Sequence, residues 1–142
     1  MLIRLILFVA VATAAFSTLV GCETGSATRA QQPDLIKTLT TDASNEIKVR
    51  KGEPFALELP ANAGTGYTWM VHGSLPPGLK ETGKPVFLEG DPNRMGAPGV
   101  WRFVLVGDRD GEYDIAFEMR RVWETDEKPV RRAIVKVTVA GT

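Results

Sequence analysis

Cysteine and histidine, two side chains that often carry catalysis or bind metals, are scarce in this sequence. There is one cysteine, Cys22, and one histidine, His72. A metal site made of the usual cysteine and histidine ligands cannot be built from that inventory. A nucleophile activated by a histidine would have to use His72, which precedes Gly73 and has no acidic residue at a motif spacing. We therefore predict that the protein is not an enzyme and binds neither a metal nor another cofactor.

Three segments that combine glycine or arginine with large aromatic residues are better candidates for function. The first reads ANAGTGYTW, the second MGAPGVWRF and the third MRRVWE. The first is open to two interpretations: a turn that leads into a strand, or a loop shaped to enter a partner's groove. Glycine allows a backbone to approach another molecule closely, which the second interpretation requires.

The elements that carry these segments have the two-residue alternation of half-buried strands. Glycine and proline separate them, and GDRDG at residues 107–111 has the composition of a hairpin turn. PPG at residues 76–78 predicts another turn, flanked by at most a very short helix. The segments read EIKVR, FALEL, YTWMV, PVFLE, VWRFVLV, EYDIAFEMRRVW and AIVKVTV. The pattern predicts an all-β fold, an antiparallel sandwich of about seven strands.

Position in the strands separates the aromatic residues into core and surface. Trp69 follows the first loop, where a sandwich commonly buries a tryptophan, and Tyr113 stands where a hydroxyl can tie down the preceding corner. Trp101 is expected in the core or half covered. Trp123 lies at a strand end between Arg121 and Glu124, so we predict that it is not wholly buried.

The N-terminus has the pattern of a secretory signal, with Arg4 followed by a short apolar run. The run ends in LVGC, which resembles the lipobox of bacterial lipoprotein signals. That resemblance implies cleavage before Cys22 and a lipid anchor on its thiol. Glu23 after the cysteine favours the outer membrane, facing the periplasm.

Composition divides the chain into a signal peptide at residues 1–21, a lipidated polar tether at residues 22–34 and one domain at residues 35–142. The tether has the polar composition that is typical of a flexible linker. Lys plus Arg total 17 and Asp plus Glu total 17, which argues against a nucleic-acid partner. We expect a monomer held at a bacterial membrane.

In their order, the three loops resemble the signature loops of the chagasin-type inhibitors of papain-like cysteine peptidases. That family carries N-P-T-T-G-Y, G-x-G and R-P-W loops on an immunoglobulin-like sandwich, and the resemblance covers about residues 46–139. This chain departs from the pattern at Ala63 and Gly64 in the first loop, Pro98 in the second and Val122 in the third.

The resemblance implies a reversible, tight-binding inhibitor of papain-like (clan CA) cysteine peptidases, whose three loops block the active-site cleft from one end of the sandwich. Gly64, Thr65 and Gly66 would form the thin inserted edge, and Asn62 would hold the loop's shape. The implied contact residues are Asn62, Gly64, Thr65, Gly66, Tyr67, Gly96, Ala97, Pro98, Gly99, Arg121 and Trp123. The alternative is an envelope-anchored immunoglobulin-like module that binds a partner other than a peptidase.

Overall fold

The computed structural model describes residues 32–91, 93–94, 96–124 and 126–141. The signal peptide, Cys22 and most of the tether lie outside the described residues. Within the described part the chain forms nine β-strands and a single 3-10 turn at Ala63–Thr65. The strands are β1 (Leu35–Thr38), β2 (Ser44–Arg50), β3 (Pro54–Ala61), β4 (Tyr67–Val71), β5 (Leu79–Glu81), β6 (Val86–Leu88), β7 (Gly99–Gly107), β8 (Gly111–Arg121) and β9 (Arg131–Ala140).

The strands form two sheets. One has the order β1-β3-β7-β5, with β6 also paired to β7, and the other has the order β2-β9-β8-β4. Most pairs are antiparallel, but β1 runs parallel to β3 and β2 runs parallel to β9. No helix among the described residues is long and apolar enough to cross a membrane.

The all-β sandwich is confirmed, whereas the strand count and the purely antiparallel arrangement differ from the prediction. The two additional strands are β1 and β5. All four residues of β1 are exposed, so no apolar alternation marks it, and β5 has only three residues. The PPG segment ends in the predicted turn, in which the Leu79 N–H donates to the Pro76 carbonyl at 2.9 Å.

The core lies between the two sheets and follows the alternation of the sequence. In β2 the residues alternate exposed and buried along the whole strand, and in β8 Ile115, Phe117 and Met119 point inward. Phe103 of one sheet packs against Phe117 of the other with ring centroids 4.9 Å apart. Burial of these apolar side chains is the main stabilising contribution to the sandwich.

Three aromatic residues have the structural environments that the sequence predicted. Trp69 is 2% exposed, and its indole N–H donates to the Pro60 carbonyl at 2.9 Å. The Tyr113 hydroxyl donates to the Arg109 carbonyl at 3.1 Å, which ties the β7–β8 corner to the start of β8. Trp101 is half buried and packs against Phe87 at a centroid distance of 5.7 Å.

Candidate functional site

The first loop, residues 62–67, is a tight turn closed by its own backbone. The Thr65 N–H and hydroxyl reach the Asn62 carbonyl at 3.4 Å and 2.9 Å, respectively. Gly66 has φ +72°, in the left-handed region that favours glycine. The side chain of Asn62 makes no capping hydrogen bond, so its backbone carbonyl, and not its amide, holds the loop's shape.

Trp69 anchors this loop from below. Its indole N–H donates to the Pro60 carbonyl. This bond joins β4 to β3 next to the turn that connects the two strands. Gly64 has nothing within 4 Å of the position that a Cβ would occupy. The first loop therefore combines an anchored base with a thin, uncrowded edge.

The third loop, residues 121–124, lies beside the first. Across the β4–β8 pair Tyr67 is opposite Arg121, and the Arg121 guanidinium carbon lies 4.7 Å from the centre of the Tyr67 ring. Trp123 is 69% exposed, in agreement with the prediction that it is not wholly buried. A Cβ on Gly66 would lie 2.9 Å from Cη2 of Trp123, so the indole ring rests directly on the first loop.

The second loop, residues 96–99, approaches the first from the other sheet. Gly99, the first residue of β7, is opposite Ala61, the last residue of β3. A Cβ on Gly99 would collide with the Leu88 carbonyl and lie 2.5 Å from the Phe87 ring, so only glycine allows β6 to pack here. Gly96 has φ +71°, and the Ala97 N–H donates to the Arg94 carbonyl at 3.0 Å.

A depression of about 360 Å³ lies between the first and second loops and the start of β9. Its walls include Asn62 and Thr65 of the first loop, Pro98 of the second, and Val130 and Arg131 after the third. The structure thus places the residues named from the sequence at one end of the sandwich, with the first loop touching the third and bordering the second.

Glu124 was not among the contact residues predicted from the sequence, yet it binds one of them. Its carboxylate accepts a hydrogen bond from Arg121 at 2.9 Å, and this bond raises the pKa of the Arg121 guanidinium. The signal available in the sequence was the spacing of three residues between opposite charges, which is compatible with contact across a turn but does not require it.

His72 has an acidic neighbour that its sequence context did not reveal. Its Nδ1 lies 3.1 Å from Oε1 of Glu118, a carboxylate on the adjacent strand. The same carboxylate is held by Arg120 at 2.5 Å and Arg132 at 3.0 Å, so it is fully engaged by cations. Among the described residues no group of three or more histidine, cysteine, aspartate or glutamate side chains is placed to hold a metal ion.

Comparison with known proteins supports the family resemblance. Residues 48–139, more than half of the chain, match the family model described as the chagasin family of peptidase inhibitors, I42. Amoebiasin-1 of Entamoeba histolytica is 34% identical over 86 residues, which are 60% of this chain and 82% of that protein.

Solved structures show the same fold. The cysteine protease inhibitor EhICP2 of Entamoeba histolytica superposes with a TM-score of 0.62 at 21% identity, covering 75% of this chain and 95% of that one. Amebosin superposes with a TM-score of 0.56 at 28% identity, covering 76% and 99%. These relatives belong to a family of inhibitors and not of enzymes, in agreement with the prediction from the cysteine and histidine inventory. The chain is a member of the chagasin family of peptidase inhibitors.

Proposed function

We propose that this protein inhibits papain-like cysteine peptidases by placing its first loop in the active-site cleft and the other two loops against the cleft's rims. Family membership supports the class of target. The observation that carries the three-loop arrangement is the contact of Trp123 with Gly66, together with the pairing of Ala61 with Gly99. These contacts bring the first loop next to each of the other two, which supports the proposal that the three act together.

The form of the first loop suits a segment that enters a cleft without being cut. Its tip, Gly64 to Gly66, is exposed and offers little side-chain bulk, so its backbone can come close to a thiolate. The turn also uses the Asn62 carbonyl for its own hydrogen bonds. A backbone curled into a 3-10 turn does not present the extended peptide that a protease cleaves.

Trp123 is the proposed anchor on one rim. Exposed tryptophan and arginine side chains dominate the energetics of protein interfaces, because they remove large areas from water on docking. The indole ring already rests on Gly66, so little freedom remains to be lost when a peptidase covers it. On the opposite rim, the exposed Pro98 and the backbone of residues 96–99 would make the contact.

Inhibition assays against papain and a cathepsin-like enzyme test the proposal. We expect competitive, reversible inhibition that is lost in Thr65→Arg, because a long cationic side chain at the loop tip would block its entry. The melting temperature should stay nearly unchanged, since Thr65 is exposed and its backbone bond to Asn62 remains when the hydroxyl bond is lost. Inhibition constants weaker than about micromolar against every papain-like enzyme tried would instead favour the non-peptidase binding module.

We also propose that the mature protein begins at Cys22 and is held by acyl chains on this residue in the outer membrane, facing the periplasm, as a monomer. Two or more acyl chains give stable anchoring, where a single chain is marginal. Mass spectrometry of the protein from bacterial membranes should find acylated Cys22 at the N-terminus. Cys22→Ala should move the protein out of the membrane fraction, and an unmodified Cys22 in the wild-type protein would exclude the anchor.

A further inference from the structure

The turn that presents Trp123 is closed twice by the same two residues. The Glu124 N–H donates to the Arg121 carbonyl at 3.1 Å, and the Arg121 guanidinium donates to the Glu124 carboxylate at 2.9 Å. The backbone bond defines a four-residue turn with Val122 and Trp123 at its two central positions. The side-chain bond adds a second closure across the same two ends.

The turn closed by Arg121 and Glu124 also contacts the neighbouring strand β4. The Arg121 guanidinium lies over the Tyr67 ring, at a distance typical of a cation–π interaction. Tyr67 begins β4 and directly follows Gly66, on which the Trp123 ring rests. The Glu124 carboxylate therefore orients Arg121, and Arg121 binds Tyr67, which directly follows the glycine on which the indole rests.

The sequence of the turn gives a reason why the Arg121–Glu124 pair is needed to hold it. Val122 occupies the second position of the turn, where proline with its fixed φ would provide stiffness. Valine leaves its φ free to rotate, and both Val122 and Trp123 are largely exposed, so burial in the core does not hold them. Among the described residues, the contacts that restrain the turn are its backbone bond, the Arg121–Glu124 pair, the contact of Arg121 with Tyr67 and the seat of the indole on Gly66.

We infer that Glu124 is a positioning residue, which preorganises the Arg121–Glu124 turn so that Trp123 is held ready for the target. The inference rests on the proposed inhibitory function for its effect on binding, but its effect on the free protein does not depend on that function. A flexible turn would have to be ordered on docking, and that cost weakens binding.

The test compares Glu124→Gln with Asp126→Asn, which makes the same charge change at an exposed position of the same connection. The first readout is the inhibition constant for papain. The second is the order parameter of the Trp123 indole N–H from ¹⁵N relaxation of the free protein, with the resonance assigned through Trp123→Phe. Because an ion pair at this degree of exposure contributes little, we expect Glu124→Gln to weaken inhibition by only about threefold to fivefold.

We also expect Glu124→Gln to lower the indole order parameter, Asp126→Asn to leave both readouts unchanged, and the double variant Val122→Pro/Glu124→Gln to recover both. Recovery through a proline would show that stiffness, and not the lost charge, caused the effect. An indole order parameter that is the same in Glu124→Gln and wild type overturns the inference. If the wild-type protein inhibits no papain-like enzyme, the proposed function fails, while the relaxation measurement still decides whether Glu124 orders Trp123.

Discussion

Two tryptophans of this chain have opposite environments, so their removal should have different effects. One substitution should weaken inhibition and the other should destabilise the fold. Trp123 is 69% exposed, whereas Trp69 is 2% exposed and bound to Pro60. We expect Trp123→Ala to weaken inhibition about thirtyfold, as for an interface anchor, with an unchanged melting temperature. Inhibition kinetics and thermal melting measure the two effects separately.

Trp69→Ala provides the contrast. Truncation of a buried tryptophan leaves a cavity and should cost about 3–5 kcal/mol of the free energy of unfolding. Urea denaturation measures this loss. The assignment of the two residues is reversed if Trp123→Ala melts the domain and Trp69→Ala leaves it intact.

The two glycines of the first loop form a second matched pair at the residue scale. Gly66→Ala should lower the free energy of unfolding by about 1–2 kcal/mol, because φ +72° is unfavourable for a residue with a Cβ. The added methyl group would also meet the Trp123 ring and displace it. Urea denaturation and Trp123 fluorescence report these two effects.

Gly64→Ala is the control for that substitution. Its Cβ position is open and its backbone is not in the left-handed region, so stability should be unchanged or slightly higher. Equal destabilisation by both alanine variants would contradict the special role given to Gly66.

At the scale of the elements, Glu118 joins three strands on the outer face of the β2-β9-β8-β4 sheet. It projects from β8, but His72 follows β4 and Arg132 belongs to β9. The carboxylate is 3% exposed although it is charged. Burial by itself would raise the pKa of Glu118, but the hydrogen bonds from His72 and Arg120 outweigh it, and the pKa lies below its ordinary value of 4.5.

This lowered pKa predicts a specific pH dependence of stability. As the pH falls below the ordinary glutamate value, the unfolded chain takes up a proton at Glu118 before the folded protein does, so the free energy of unfolding decreases. The contribution is fully present above the unfolded pKa and is lost as the pH falls through the folded pKa. Urea denaturation of the wild type and Glu118→Gln between about pH 3 and pH 6 measures it. The difference in stability between them should shrink as the pH falls, and a constant difference would refute this role of Glu118.

At the scale of the whole molecule, the topology places the start of β1 and the end of β9 away from the first loop. Leu35 at the start of β1 pairs with Phe55, near the start of β3, whereas the first loop follows the end of β3 at Ala61. β9 likewise begins beside Met119 and ends beside Arg50. The first strand therefore begins at the end of the sandwich opposite the first loop.

This separation predicts how the protein tolerates attachments. A fluorescent protein fused ahead of Gln32 should leave inhibition of papain unchanged, because it is joined at the end opposite the loops. The same protein inserted between Asp126 and Glu127 should abolish inhibition by covering Trp123. An N-terminal fusion that blocks inhibition as fully as the insertion would contradict the placement of the loops at the end of the domain opposite the start of β1.

The strand faces, the loops and several aromatic roles were predictable from the sequence because they are local properties. Alternation over a few residues determines which side chains of β2 and β8 face the core, and a tyrosine two residues after Gly111 is positioned to reach its own corner. The order of the three loop motifs likewise indicated the family to which the chain belongs.

Contacts between residues that are distant in sequence were determined only by the tertiary structure. The parallel pairings of β1 and β2, the contact of His72 with Glu118 and the seat of Trp123 on Gly66 join segments that are far apart in sequence. Nothing in the local pattern at His72 distinguishes an isolated histidine from one that binds a carboxylate on the next strand. Pairing depends on which strands are adjacent in the sheet and in what register, and a pattern with a period of two residues specifies a face without specifying a neighbour.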